Sequence, residues 1–190
     1  TTMDSLLSGA IEVVRSLRDA GHQALFAGGC VRDRLLGRTV HDYDIATSAR
    51  PDDVERLFSK TVPVGKSFGV IIVLQGGHEY QVATFRSDGP YLDGRHPSSV
   101  TFSNAQADVA RRDFTINAML YDPLNDRLLD YVGGKKDLDA RLIRAVGDPR
   151  ARFKEDKLRL MRAIRFTGQL GFALDPVTEA AVRELAPSIL

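Results

Sequence analysis

The sequence predicts an α+β fold: a mixed sheet of roughly five strands with flanking helices, followed by the start of an all-helical segment. Three observations lead there. Short apolar runs bounded by glycines or polar turns recur along the first part of the chain, and helical spacing brackets them. After Gly133-Gly134 the strand signals give way to long helical spacing. A boundary near residue 147 separates a first domain, 1–147, from a helical region, 148–190, that reads as cut short.

Leu6, Ile11, Val14 and Leu17 recur at helical spacing, and Gly21 stops that helix. Ala24-Leu25-Phe26-Ala27 reads as a short buried strand entering Gly28-Gly29, and residues 31–36 as a brief helix closed by Gly37. Residues 42–47 form the next strand. Pro51 opens a helix whose first turn carries Asp52 and Asp53, where negative charge complements the dipole. Residues 70–74 and 79–85 flank Gly76-Gly77, a hairpin signal. Residues 86–99 are a polar loop with two glycines and two prolines. Ser103 and Gln106 fit a capping box for the helix running toward Arg112. Residues 118–121 and 127–132 flank a second hairpin turn, Asp122-Pro123-Leu124-Asn125-Asp126. A long helix then spans about 150–169, ends near Gly171, and Pro176 restarts one.

At 190 residues and 43% hydrophobic, the chain can bury a real core. Its 26 basic and 25 acidic residues nearly cancel, so a nucleic-acid partner requires local clustering of charge. Cys30 is the single cysteine, which excludes an intrachain disulfide and a cysteine-rich zinc site and fits a reducing cytoplasm. No apolar run approaches the roughly 18 residues needed to span a bilayer, and Thr1-Thr2-Met3-Asp4 has no signal-peptide character. The expectation is a cytoplasmic chain with no membrane partner.

The chemistry concentrates in Gly28-Gly29-Cys30-Val31-Arg32-Asp33-Arg34-Leu35-Leu36-Gly37, with Asp42-Tyr43-Asp44 close behind. A diglycine between strand and helix lets a phosphate approach the backbone. Asp42 and Asp44, two apart on a strand, project from one face. Such paired oxygens suit two divalent ions that activate a 3′ hydroxyl and hold a triphosphate.

Gly-Gly-x-Val-Arg-Asp-x-Leu-Leu-Gly followed by Asp-x-Asp resembles the signature of the class II CCA-adding enzyme and bacterial poly(A) polymerase family, within the DNA polymerase beta nucleotidyltransferase superfamily. The likeness runs from about Ala24 to Phe172, because later motifs keep the family's order. It implies a nucleotidyltransferase head over 1–147 and a helical neck over 148–190. It also implies Asp42 and Asp44 as catalytic metal ligands for two Mg²⁺ (or Mn²⁺) ions, and Gly28, Gly29 and Arg32 at the triphosphate. Arg111-Arg112-Asp113-Phe114-Thr115-Ile116-Asn117-Ala118 matches the family's ribose motif, placing Arg111, Asp113 and Asn117 at the sugar hydroxyls, and their donor and acceptor chemistry suits that task.

In Glu155-Asp156-Lys157-Leu158-Arg159 the matching Asp156 and Arg159 act as the family's protein template for the base. Three apart on a helix they share a face, one accepting and one donating a hydrogen bond. Adenine and cytosine both present an exocyclic amino donor beside a ring-nitrogen acceptor, whereas uracil and guanine present a carbonyl beside an N–H. The pair therefore accepts A and C. Arg162 and Arg165 continue the helix, toward either triphosphate and primer RNA or solvent. Asp93-Gly94-Arg95-His96-Pro97 corresponds to the family's flexible loop, so Asp93 and Arg95 are expected there; its presence argues against an enzyme that adds only C. His41 and His96 lack ligand partners at metal spacing and read as structural or loop groups.

One departure stands out: where the family reads Glu-Val-x-Thr-Phe-Arg, this chain has Gln81-Val82-Ala83-Thr84-Phe85-Arg86. The supporting carboxylate is lost, with Glu79 two residues earlier on the same strand face. The resemblance implies addition of C or A from CTP and ATP to an RNA 3′ end, a tRNA above all. Poly(A) addition is the alternative within the family, and a nucleotide- or RNA-binding module that has lost catalysis is the alternative outside it.

Overall fold

Gly28 and Asp44 sit at the ends of two adjacent central strands of a seven-stranded sheet, in a computed structural model that describes residues 2–188. Thr1 and the last two positions of the 148–190 segment lie outside the described residues. Helix α1 (Thr2–Asp19) precedes β1 (Ala24–Ala27), and α2 (Gly29–Leu35) starts directly after Gly28. Then follow β2 (Asp44–Thr47), α3 (Pro51–Leu57), β3 (Thr61–Gly65), β4 (Val70–Gln75) and β5 (His78–Thr84). A ribbon of β6 (Arg86–Asp88) and β7 (Val100–Phe102) leads to α4 (Ala105–Ala110), β8 (Leu120–Asp122) and β9 (Arg127–Leu129). The chain continues through α5 (Gly134–Asp139), β10 (Leu142–Ile143), α6 (Pro149–Glu155), α7 (Lys157–Leu170), β11 (Ala173–Leu174) and α8 (Pro176–Leu185).

The large sheet has the order β3-β4-β5-β2-β1-β8-β9. All neighbours are antiparallel except β2 and β5, which run parallel and set Asp44 opposite Gln81. The hairpin between β4 and β5 turns on Gly76 (φ 59°) and Gly77 (φ 81°), the two positive φ values that a tight hairpin turn demands.

Strand alternation divides the core. Phe26 and Ile45 face the larger cluster, built with Ala10, Val13, Val14 and Leu17 of α1 and Val54 of α3. Leu25, Ala27 and Ala46 face the smaller one, with Ala105 and Val109 of α4 and Phe85. Asp44 is in phase with Ala46, so its side chain belongs to the α4 side of the sheet. Leu160 and Ala163 of α7 and Ala181 of α8 join the larger cluster, and β11 pairs with β10. Residues after 147 thus pack onto the same core as those before it.

The α+β class holds, with several revisions of detail. The sheet gains β3 as an edge strand: Val62 and Val64 alternate with Pro63, all on an exposed segment without the burial pattern that marks a strand in sequence. Residues 86–99 are not all loop, since their first residues pair with β7 in the small ribbon. Two-residue β10 and β11 follow Gly133-Gly134, too short for any periodic signal. Helix α4 is capped by Asn104, whose side chain accepts from Ala107 N–H at 2.9 Å, rather than by the Ser103–Gln106 box. The helix expected over 150–169 is broken at Asp156, which leaves the helical region (φ −139°, ψ 105°). Among the described residues no helix is long and apolar enough to cross a membrane.

Candidate active site

Gly28 adopts φ 78°, ψ −144°, a conformation that only glycine enters without strain. A Cβ at this position would lie 3.7 Å from Arg112 Nη1 and 3.9 Å from Asp44 Oδ2. The diglycine backbone, a guanidinium and a carboxylate therefore meet at one point. Asp42 and Asp44 line a shared cavity of about 290 Å³ with Glu79 and Gln81, and Asp44 also borders a larger cleft of about 540 Å³. Asp42 lies just before β2 rather than on it, because strand pairing begins at the Ala27–Asp44 contact; the two carboxylates nonetheless open on the same cavity.

The Asp44 carboxyl is held above the usual carboxylate range, first by desolvation in the cleft; Arg112 pulls it down and Asp42 pushes it up. That repulsion between neighbouring carboxylates is what a divalent cation relieves. Among the described residues no group of three or more His, Cys, Asp or Glu converges as a metal-holding cluster. The donor set is thus a pair of hard oxygens, which fits Mg²⁺, an ion usually bound by one or two carboxylates while water and substrate phosphates fill the other positions. Gln81, opposite Asp44 across β2 and β5, supplies an amide oxygen to the cavity but no charge.

The larger cleft is lined by seven arginines and four aspartates, a local positive excess in a chain of net charge +1. Arg111 and Arg112 are anchored by Asp108, which is 1% exposed: Arg111 Nε donates to Oδ1 at 3.2 Å and Arg112 Nη2 to Oδ2 at 2.9 Å. Arg86 N–H also donates to Oδ1 at 3.0 Å. Burial draws the Arg111 guanidinium below its ordinary value, with Asp108 opposing, yet it stays charged at any working pH.

Deeper in the cleft, Asn117 Oδ1 accepts from Arg32 Nη1 at 2.7 Å, joining α2 to a 3-10 turn over Thr115–Asn117. Asp113 Oδ1 accepts from Phe114 N–H at 2.6 Å and from Asn117 Nδ2 at 3.4 Å. Arg162 Nη2 pairs with Asp113 Oδ2 at 2.6 Å, and the Arg32 and Arg162 guanidiniums both lie over the Phe166 ring. Arg32, Asp113 and Asn117 are thus brought together as one group. Arg111 lines the same cleft but is tied to Asp108, and Arg165 is exposed outside it.

At the far wall Asp156 and Arg159 both border the cleft, though not as a pair on one helical face. Asp156 is the N-cap of α7, its Oδ1 accepting from Leu158 N–H at 3.0 Å. Arg159, 6% exposed, donates instead to Glu155 Oε2 at 2.8 Å and to the Arg152 carbonyl at 3.1 Å. The loop reaches this wall as well. Arg95, His96 and Pro97 line the cleft, and the Gly94 carbonyl accepts from Lys157 N–H at 3.1 Å. Asp93 does not line the cleft; its Oδ1 accepts from the N–H groups of Arg95 (2.9 Å) and His96 (2.7 Å), which holds its carboxyl down at about 2.

Several residues in or beside the cleft escaped assignment from sequence, Arg86 and Asp88 among them. Arg112 lay inside a recognised motif without a role of its own. Asp108 could have been found as the acid three and four residues before two arginines on a short helix. Tyr91 reaches Arg159 across 68 residues of chain and Phe166 reaches Arg32 across 134, contacts for which no local signal exists.

Comparison with known proteins adds the family. Residues 24–144 match the model of the Poly A polymerase head domain. The chain is 53% identical over 181 residues to the CCA-adding enzyme of Bacillus subtilis, covering 95% of this chain and 45% of that protein. It is 48% identical over 179 residues to that of Geobacillus stearothermophilus, covering 94% and 44%. Its fold superimposes on the Bacillus stearothermophilus CCA-adding enzyme solved in complex with CTP, with a TM-score of 0.87, 44% identity and coverage of 95% and 44%. A tRNA nucleotidyltransferase solved with a primer tRNA and an incoming ATP analogue superimposes with a TM-score of 0.74 at 31% identity, covering 92% and 50%. The chain spans a little under half the length of the curated relatives it matches. With the head-domain model matched over residues 24–144 and its fold that of these enzymes, the chain belongs to the family of the poly(A) polymerase head domain.

Proposed function

We propose that this chain carries the catalytic head and the start of the base-reading neck of a tRNA nucleotidyltransferase that adds C and A from CTP and ATP to a tRNA 3′ end. The observation that carries the reading is an arginine-lined cleft bordered by Asp44, which shares an adjoining cavity with Asp42, and by Asp156 and Arg159. The division at residue 147 is then functional: phosphate chemistry before it, base selection after it. The lone buried thiol of Cys30 agrees with work in the cytoplasm.

Asp42 and Asp44 would hold divalent ions, Mg²⁺ in the first instance, which lower the pKa of the primer hydroxyl and neutralise triphosphate charge. Gly28 and Gly29 leave the backbone open to the phosphates, and Arg32, with Arg112, adds fixed positive charge there. Asp113 and Asn117 face the sugar hydroxyls, with Arg111 behind them. The primer 3′ hydroxyl attacks the α-phosphorus and pyrophosphate leaves, so catalysis rests on position and charge. Asp156 accepts from the exocyclic amine of adenine or cytosine while Arg159 donates to the ring nitrogen.

The test supplies labelled CTP and ATP with a tRNA lacking its 3′ end. C followed by A supports this reading, whereas long tails from ATP alone would make the protein a poly(A) polymerase. Asp42→Ala should lower incorporation by about 10³-fold, the loss of several kcal/mol of charge stabilisation, with melting unchanged. A non-catalytic module is favoured only by Gln81 opposite Asp44; it predicts ATP binding indifferent to Mg²⁺ and no turnover.

A further inference from the structure

Arg159 is the donor half of the proposed base reader, and a guanidinium on a long side chain reads an edge only if its plane is fixed. Two of its contacts come from its own helical neighbourhood, Glu155 and the Arg152 carbonyl, and both engage Nη1. Nη2 is held from another part of the chain: it donates to Tyr91 Oη at 3.1 Å, and the guanidinium carbon lies 5.2 Å from the centre of the Tyr91 ring. The same hydroxyl donates to Asp88 Oδ2 at 2.7 Å, and the other oxygen of Asp88 accepts from Arg86 Nε at 2.8 Å. Asp88 belongs to the β6–β7 ribbon, so a continuous polar chain runs from that ribbon through one phenol to Arg159.

We propose that Tyr91 is a positioning residue for base selection: its ring sets the plane of Arg159, and its hydroxyl, bonded to both Asp88 and Arg159, fixes the rotation within that plane. This rests on the reading of Arg159 as a base-edge donor. With three of the five guanidinium N–H groups committed to Glu155, Arg152 and Tyr91, Nε and the second Nη2 hydrogen are left for a base. Freed from the hydroxyl, the planar guanidinium is held at Nη1 alone and can tilt about that edge, so that Nη2 meets a base carbonyl in place of a ring nitrogen. Tyr91 therefore governs the preference for adenine and cytosine over uracil more than it governs total affinity, because triphosphate contacts lie elsewhere in the cleft. Burial and the Asp88 carboxylate raise the phenol's pKa, which keeps the hydroxyl a donor toward Asp88 at neutral pH.

The experiment measures equilibrium binding of ATP and of UTP, each with Mg²⁺, to the protein and its Tyr91→Phe, Arg159→Ala and Asp88→Asn variants, with melting curves for each. Tyr91→Phe keeps the ring and loses the hydroxyl, so the ATP-over-UTP preference should fall about tenfold while triphosphate-driven binding persists. Asp88→Asn should move the same ratio in the same direction by a smaller factor, and it reads the relay from its other end should the phenylalanine variant not fold. A preference unchanged in both variants, or an equal loss for both nucleotides, overturns the role of Tyr91 while a loss of preference in Arg159→Ala leaves the base-reading proposal standing. No preference in the parent protein overturns both.

Discussion

The two walls of the cleft are built on different principles. On the phosphate wall, Gly28, Asp44 and Gln81 are placed by strand register: Ala27 pairs with Asp44, and Asp44 with Gln81, so backbone hydrogen bonds fix where the side chains start. On the base wall, Asp156 sits at a helix break and Arg159 is held by Glu155, a carbonyl and a phenol from the 86–99 segment. The first wall is backbone-determined and stiff. The second is a side-chain relay, whose parts can turn without moving the sheet, a freedom that the proposed acceptance of two different bases requires on this side only.

The comparison can be broken most forcefully at Asp108, where side chains alone hold the phosphate wall's arginines. Asp108→Ala leaves Arg111 and Arg112 without their shared buried anion, at a cost of about 3–5 kcal/mol in urea unfolding, and ATP affinity should fall with it. Stability within error of the parent would mean the arginines find other partners. Gly28→Ala comes next: forcing φ 78° on a residue with a Cβ costs about 1–3 kcal/mol in the same assay, while the added methyl only touches Arg112 and Asp44 at van der Waals distance.

Asp156 sharpens the contrast because it caps α7 and, in the proposed function, also reads the base. Asp156→Ala loses the cap of α7 and about 1 kcal/mol of stability. Asp156→Asn keeps a capping oxygen, so melting should hold while discrimination between adenine and uracil weakens, as read by competitive binding. A fall in both properties for Asn would tie base selection to the cap itself. The smallest effect belongs to the loop. Asp93 titrates at about 2 in the folded chain, below its ordinary 3.8, so the turn it closes is fully supported above pH 3.8 and loses that support as pH falls through about 2. The amide proton shifts of Arg95 and His96, followed as pH is lowered from about 5 toward 1.5, check this.

Much of the phosphate wall was legible in sequence because its determinants are local. A strand, two glycines and a pair of acids within 21 residues encode their own geometry. Even so, Asp42 fell two residues before its strand, since the start of pairing depends on a partner and not on the residue itself. The base wall was legible as residue types but not as geometry. Asp156 and Arg159 were expected to share a helix face, and the break at Asp156 replaces that pairing with a cap and a Glu155 contact. Helical periodicity runs through residues 150–169 without interruption, so only tertiary packing of Phe153 and Leu160 reveals that two helices meet there. Arg162, open in sequence between RNA, triphosphate and solvent, is paired with Asp113.

By itself, then, the sequence determined the α+β class, the hairpin at Gly76-Gly77, the diglycine turn and the identity of the charged groups, because backbone propensity and side-chain chemistry act over a few residues. Only the tertiary structure decided what those charged groups meet: Arg32 with Asn117 across 85 residues, Arg159 with Tyr91 across 68, Arg112 near Asp44 beside Gly28. Contacts of that range are fixed by the packing of the whole sheet and its helices, which no short stretch of the chain contains.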